Sequence, residues 1–113
     1  MPDQTVQVTF DPTATPQFTF TPPSVTMTAS GNVVLQQFPA DASWTFDAAV
    51  VKDDTLDEFD ATVVGNGQAV QINDKFKDRN EKQYSYDVTV ALNGLTYTSP
   101  DPQIVNDPGS VDD

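Results

Sequence analysis

The chain has 113 residues, with 17 acidic and five basic side chains and a formal net charge of −12. Its length is typical of one domain, and its charge opposes binding to nucleic-acid phosphates and to anionic membranes. Because Cys and His are absent, disulfides, thiol nucleophiles and metal sites built on those residues are excluded, and we expect no cofactor.

The N-terminal segment MPDQTVQVTF lacks the basic start and the apolar stretch of a secretory signal peptide. No run of the sequence approaches the roughly 20 apolar residues of a membrane span. If Met1 is the natural start of the protein, the cytoplasm is therefore the default location that we expect.

The first third of the chain alternates apolar and polar residues, which is the pattern of strands with one buried face. The segments TVQVTF, QFTF and SVTMTAS each follow it, and prolines at 12, 16, 22 and 23 separate them. Because proline has no N–H to donate, we expect these boundaries to be turns or sheet edges. Gly31 and Asn32 are then expected to break or bulge the chain before a further strand in VVLQQF.

The segment SWTFDAAV predicts a strand with Trp44, Phe46, Ala48 and Val50 on one face. A Trp in phase with apolar neighbours is typical of the core of an immunoglobulin-like domain. The alternative is an exposed aromatic platform for a sugar or a peptide, so Trp44 is also a candidate partner-binding residue.

An acidic run, KDDTLDEFD, interrupts the alternation. Asp54 is placed to cap a single helical turn at 55–59. The candidate ligands of a Ca²⁺ site in this run are Asp53, Asp54, Asp57 and Glu58, because hard cations take several oxygen ligands. The spacing departs from the EF-hand pattern and lacks its glycine, so a solvated loop is the alternative interpretation.

Two hairpins are predicted at Asn66-Gly67 and Asn93-Gly94, because both residue types tolerate positive φ between alternating strands. The clearest strand, YSYDVTVAL, precedes the second turn, and a tyrosine at its start is placed to bond to the preceding loop. That loop, 75–82, holds four of the five basic residues and is interpreted as a solvated loop rather than an anion site.

The last strand is predicted in QIVN, between the pairs Asp101-Pro102 and Asp107-Pro108. Each Asp is expected in a turn that its carboxylate stabilises by accepting a downstream N–H. Ile104 or Val105 is expected to bury one side chain. Both are also candidate partner-binding residues, since we expect this strand and the proline-bounded first strands at sheet edges, where another strand can add.

About seven to eight short strands and no long helix predict an all-β protein. The expected fold is a single immunoglobulin-like Greek-key β-sandwich over residues 1–108, followed by a flexible acidic tail at 109–113.

The segment YSYDVTVALNGLTYTSPDPQIVNDP contains D-P-x-I-x-N followed closely by Pro. With FTFTPPSVTMT and the later SWTF, it resembles the DP-EP family of small bacterial proteins. The resemblance implies an immunoglobulin-like sandwich and brings neither a known function nor catalytic residues. The pattern is also similar to cupredoxins, but a copper site of that type needs His and Cys, which are absent.

These observations predict a non-catalytic module that binds a protein or assembles with itself. No G-x-S-x-G or S-x-x-K motif is present, so an enzyme is not expected and a small hydrolase is the disfavoured alternative. The other alternative is a Ca²⁺-dependent or carbohydrate-binding module that uses the acidic run or Trp44.

Overall fold

The computed structural model describes residues 3–109, which are folded almost entirely as β-strands. Within these residues, ten strands follow one another: β1 (Gln4–Phe10), β2 (Phe18–Thr21), β3 (Ser24–Met27), β4 (Gly31–Gln37), β5 (Thr45–Val51), β6 (Phe59–Val64), β7 (Ala69–Asp74), β8 (Lys82–Leu92), β9 (Leu95–Thr98) and β10 (Gln103–Asn106). A short 3₁₀ turn, Gly65–Gly67, joins β6 to β7. In residues 3–109 no helix reaches the length and hydropathy needed to cross a bilayer.

The strands form two sheets that pack together as a β-sandwich. The first sheet has the order β2-β1-β4-β7-β6, the second has the order β3-β10-β8-β5, and β9 pairs with the C-terminal half of β8. Both sheets are mixed, because β1–β4 and β3–β10 are parallel pairs. The predicted all-β sandwich is confirmed, with ten strands in the described residues rather than the expected seven or eight. Its immunoglobulin-like topology stays a prediction, and the tail expected at 109–113 lies outside the described residues beyond Gly109.

The core lies between the sheets and is filled by the apolar side chains that alternate along each strand. Fully buried members include Val6, Val8, Met27, Val33, Leu35, Val70, Ile72, Val88, Val90 and Ile104. Complete burial of a side chain of this size contributes about 1.5–3 kcal/mol to the free energy of unfolding. The packing of these side chains therefore positions the two sheets against each other.

Both Asn-Gly hairpins are confirmed, and they have the backbone geometry that their sequences require. Asn66 and Asn93 have φ of 57° and 53°, and the glycines that follow have φ of 89° and 80°. Positive φ at both positions matches the right-handed twist of the flanking strands.

Strand β5 departs from the predicted alternation. The register shifts between Phe46 and Ala48, so Phe46 is buried whereas Val50 is 56% exposed. The expected common face from Trp44 to Val50 is therefore wrong beyond Phe46. A bulge adds one residue to the strand and moves the following side chains to the opposite face.

The turn expected at 55–59 is not helical, because Asp57 adopts a φ of 53°. The capping role of Asp54 nevertheless exists, since its two carboxylate oxygens accept the amides of Glu58 and Phe59 at 2.9 and 3.1 Å. These bonds fix the entrance to β6 and leave Glu58 fully buried.

Candidate functional site

The four acidic residues considered as Ca²⁺ ligands do not converge. Asp53 and Asp57 are exposed, Asp54 is engaged by the backbone, and Glu58 lies in the protein interior. Across residues 3–109, no group of three or more acidic side chains is arranged to hold a metal ion. The acidic loop is therefore a hydrogen-bonded turn in this structure.

The three candidate partner-binding residues lie in or against the core. Trp44 is 4% exposed and meets the Phe46 ring edge-on at 5.1 Å, which confirms its interpretation as a core residue. Ile104 is fully buried and Val105 is half-buried. The expectation that the last strand forms an edge is wrong, because β10 is hydrogen-bonded to β3 on one side and to β8 on the other.

A group of polar side chains lies at one end of the core, where five separate chain segments meet. We call it the carboxyl cluster and define it by the following residues: Glu58 before β6, Asp74 at the end of β7, Asp78 in the next loop, Tyr84 in β8 and Asn106 at the end of β10. Glu58, Asp74 and Asn106 have no exposed surface, and Tyr84 is 1% exposed. Of these residues, the sequence singled out Glu58 as a candidate Ca²⁺ ligand, a tyrosine at the start of β8 as a partner of the preceding loop, and Asn106 as the Asn of the D-P-x-I-x-N motif. It gave no role to either aspartate.

The amide nitrogen of Asn106 lies at the centre of the cluster. Its Nδ2 donates to Glu58 Oε1 at 3.3 Å, to Asp74 Oδ1 at 3.1 Å and to Asp78 Oδ2 at 2.9 Å. The Tyr84 hydroxyl lies 2.6 Å from Glu58 Oε2 and 2.9 Å from Asp78 Oδ1. Three carboxylates thus share three side-chain protons, two on the amide and one on the phenol.

Backbone amides supply the remaining donors. The amide of Lys77 donates to Glu58 Oε1 at 2.8 Å, and the amide of Phe76 donates to Asp74 Oδ1 at 2.9 Å. Among the described residues, Asp74 Oδ2 and Asn106 Oδ1 are buried without a hydrogen-bond partner. The cluster therefore holds more acceptors than donors.

The electrostatics of the cluster follow from this imbalance. Burial raises the pKa of Asp74 to about 6, and the charges of Glu58 and Asp78 act in the same direction. Burial and the bonds to both carboxylates also raise the pKa of Tyr84 above its ordinary range. No Lys or Arg within residues 3–109 forms an ion pair with the three carboxylates.

A second feature is an open groove of about 530 Å³ on the surface. Its apolar lining is supplied by Pro16, Phe18, Phe20, Pro23, Pro100 and Pro102, and we call it the proline groove. Thr19 on β2 and Ser24 on β3 also line it, so it lies where the outer strands of the two sheets approach each other. The sequence predicted the proline-bounded edge at β2 but not a groove.

Charge is distributed unevenly around the proline groove. Among residues 3–109, no Lys or Arg lines it, and the one charged lining residue is Asp101. That carboxylate accepts two hydrogen bonds from Lys52 Nζ, at 2.8 and 2.9 Å.

The expected hydrogen bond from a downstream backbone amide to the Asp101 carboxylate is therefore replaced by the ion pair with Lys52. The corresponding expectation for Asp107 is confirmed, since its Oδ1 accepts the amide of Gly109 at 2.9 Å.

The profile of the DP-EP family matches residues 2–108, nearly the whole chain. The chain belongs to the DP-EP family. None of the curated proteins matches it significantly.

The D-P-x-I-x-N segment of this DP-EP protein spans both features. Asp101 and Pro102 line the proline groove, Ile104 packs in the core, and Asn106 is the central donor of the carboxyl cluster. One short strand, β10, thereby connects the groove at its N-terminal end with the cluster at its C-terminal end.

Proposed function

We propose that this protein is a non-catalytic interaction module. Its docking surface is the proline groove, and its occupant is an extended segment of a partner protein with apolar side chains flanked by Lys or Arg. The observation that carries the proposal is the groove itself, an apolar depression in a strongly acidic surface.

The lining of the groove supports an extended apolar occupant. The rings of Phe18 and Phe20 lie nearly parallel, with an interplanar angle of 14° and centroids 6.3 Å apart. Phe20 is half-buried, and Pro16, Pro23 and Pro100 are exposed around it. Rigid rings and prolines lose little conformational entropy when a ligand covers them, and aromatic grooves of this kind accept extended peptides.

The surrounding charge supports basic flanks on the occupant. Within the described part of the chain, the residues that line the groove fall in 16–24 and 100–103, and every Lys and Arg of the sequence lies between positions 52 and 82. Lys52 does not line the groove, and its ammonium group forms an ion pair with the lining residue Asp101. Charge complementarity accelerates encounter and rejects acidic partners, so a Lys-flanked segment is favoured over a Glu-flanked one.

Strand edges beside the groove supply backbone hydrogen-bonding groups. β2 is the outer strand of the first sheet and β3 is the outer strand of the second. An extended segment that lies in the groove is therefore placed to add to one of these edges while its side chains enter the apolar depression.

The non-catalytic character is supported by the position of the acidic residues that lie closest together. Glu58 and Asp74 are fully buried, and their oxygens are engaged mainly by Asn106, Tyr84 and backbone amides. A substrate has no access to such groups, whereas a general acid or base must reach the reacting atom.

The proposal is tested with two short synthetic peptides that share a centre of Pro, Leu and Phe. Lysines flank this centre in one peptide and glutamates flank it in the other. We expect the Lys-flanked peptide to bind at least about tenfold more tightly at low salt, with a difference that shrinks as salt is added. Equal affinities, or binding of neither peptide, would contradict the proposed occupant.

A matched pair of variants locates the binding. Thr19→Arg introduces a long cationic side chain into the groove, and Thr96→Arg makes the same change on β9, away from the groove. We expect only Thr19→Arg to abolish binding. Sedimentation of the free protein is the companion measurement, and a concentration-dependent dimer that Thr19→Arg disrupts would identify a second copy as the occupant and overturn the partner segment.

A further inference from the structure

We propose that the carboxyl cluster is a proton-operated latch, which takes up one proton at Asp74 on mild acidification and then holds the end of β10 more tightly. The inference concerns the opposite end of β10 from the groove and does not rest on the proposed function. A proton from solvent binds to the Asp74 carboxylate, one O–H bond forms, and the cluster loses one negative charge.

The geometry of the cluster carries the proposal. Oxygens of Glu58, Asp74 and Asp78 all lie within 3.3 Å of one nitrogen, Nδ2 of Asn106, which has only two protons to give. Carboxylates at such distances repel one another, and a neighbouring like charge favours the protonated form. Asp74 is the member with a free oxygen, because its Oδ2 is buried and has no partner among the described residues.

The charged groups around Asp74 do not neutralise it. Glu58 and Asp78 are its acidic neighbours, Tyr84 adds a phenol, and β4, which pairs with the end of β7 at Gly31, carries no charged residue. Lys75 pairs with Asp60, Lys77 Nζ donates to the Leu56 carbonyl, and Lys82 lies 4.9 Å from the Tyr84 ring centroid. Within residues 3–109, none of these cations forms an ion pair with a carboxylate of the cluster.

The direction of the pH effect follows from the pKa of Asp74. Burial raises it from 3.8 in the unfolded chain to about 6 in the folded chain. Between about pH 4 and pH 6 the folded protein keeps a proton that the unfolded chain has lost. The contribution of Asp74 to the free energy of unfolding therefore falls as the pH rises from about 4 to about 6. This is the reverse of the effect of an ordinary ion-paired aspartate.

Two backbone amides report on the latch. Phe76 N–H donates to Asp74 Oδ1 and Lys77 N–H donates to Glu58 Oε1, so both exchange with solvent only when the cluster opens. We expect the opening constant at these amides, corrected for intrinsic exchange, to fall about fourfold from pH 7.5 to pH 5.5.

Asp74→Asn removes the titrating carboxyl group and keeps an oxygen that can accept the hydrogen bonds from the Phe76 amide and from Asn106 Nδ2. We expect its Phe76 and Lys77 amides to show no such pH dependence. Asp53→Asn is the matched control, because Asp53 is exposed and lies outside the cluster, and it is expected to retain the fourfold change. Loss of the pH dependence in both variants, or in neither, would overturn the proposal.

Carboxyl ¹³C resonances of the wild-type protein test the proposal without any substitution. We expect the Asp74 carboxyl to titrate with a midpoint near pH 6. A midpoint below pH 4 would overturn the latch. Protection of the same amides by millimolar Ca²⁺ at pH 7.5, without protection by acid, would also overturn it and identify a cation as the occupant.

Discussion

The side-chain amide nitrogen of Asn106 lies 3.1 Å from Oδ1 of Asp74. This contact joins the end of β10, in the second sheet, to the end of β7, in the first sheet. The contact links residues that are 32 positions apart in the chain. It ties the two sheets together by a hydrogen bond where most of the sandwich is held by apolar packing.

Replacing Asn106 is expected to weaken the fold strongly. Asn106→Ala removes the donor shared by three carboxylates, and the unpaired buried acceptors lower the free energy of unfolding by about 3 kcal/mol. Asn106→Asp is expected to cost more, because it adds a fourth carboxylate. Urea unfolding followed by the fluorescence of Trp44, the one Trp of the chain, measures both. A loss below about 1 kcal/mol in Asn106→Ala would show that the cluster does not need its central donor.

Tyr84→Phe tests the hydroxyl of the cluster separately from its ring. The ring packs edge-on against Phe59 at 4.8 Å and remains in the variant, whereas Glu58 Oε2 loses its donor. We expect a loss of about 2 kcal/mol in the free energy of unfolding. Tyr97→Phe, which changes a half-buried phenol elsewhere, is the control and is expected to cost less than about 0.5 kcal/mol. Equal losses in the two variants would contradict the special role of Tyr84.

The two hairpin glycines are expected to respond differently to alanine. A Cβ at Gly67 would lie 2.8 Å from Thr45 Cβ, whereas a Cβ at Gly94 would meet no atom of the described residues within 4 Å. Both positions have positive φ, so Gly94→Ala costs about 1 kcal/mol of backbone strain and Gly67→Ala costs about 3 kcal/mol in total. Thermal unfolding ranks the two variants, and the opposite order would mean that the Gly67 turn does not pack on β5 as described.

The bulge in β5 is tested by a polar isostere at two valines. Val50 is 56% exposed, whereas Val88, which pairs with the adjacent Ala49 in the register of β5 with β8, is fully buried. We expect Val50→Thr to change the free energy of unfolding by less than about 0.5 kcal/mol and Val88→Thr to lower it by about 2 kcal/mol, because the hydroxyl is buried there. A large loss at Val50 would place it in the core and contradict the bulge.

Local patterns predicted most of the strands and both hairpins, because alternation and Asn-Gly turns depend on neighbouring residues. The position of Val50 could not be predicted in the same way. A single extra residue at Asp47 reverses the face of every side chain that follows, and no feature of SWTFDAAV marks it.

The carboxyl cluster and the proline groove lay beyond sequence reasoning for a different reason. Glu58 and Asp74 come together through the pairing of β6 with β7, and the pairing of β8 with β10 places Tyr84 and Asn106 together. The acidic run around Asp54 drew attention to Glu58, but nothing local indicates that its side chain is buried with two other carboxylates. The groove likewise depends on residues near 16–24 and 100–103, which are far apart in the chain.

The most direct test of the proposed interaction surface is a titration of ¹⁵N-labelled protein with the Lys-flanked peptide, followed by amide chemical shifts. We expect the perturbed amides to cluster around the groove, at Phe18, Thr19, Ser24 and Gln103, and Thr19→Arg to remove the perturbation. Saturable shifts centred on another surface, or none at millimolar peptide, would contradict the assignment of the proline groove as the docking site.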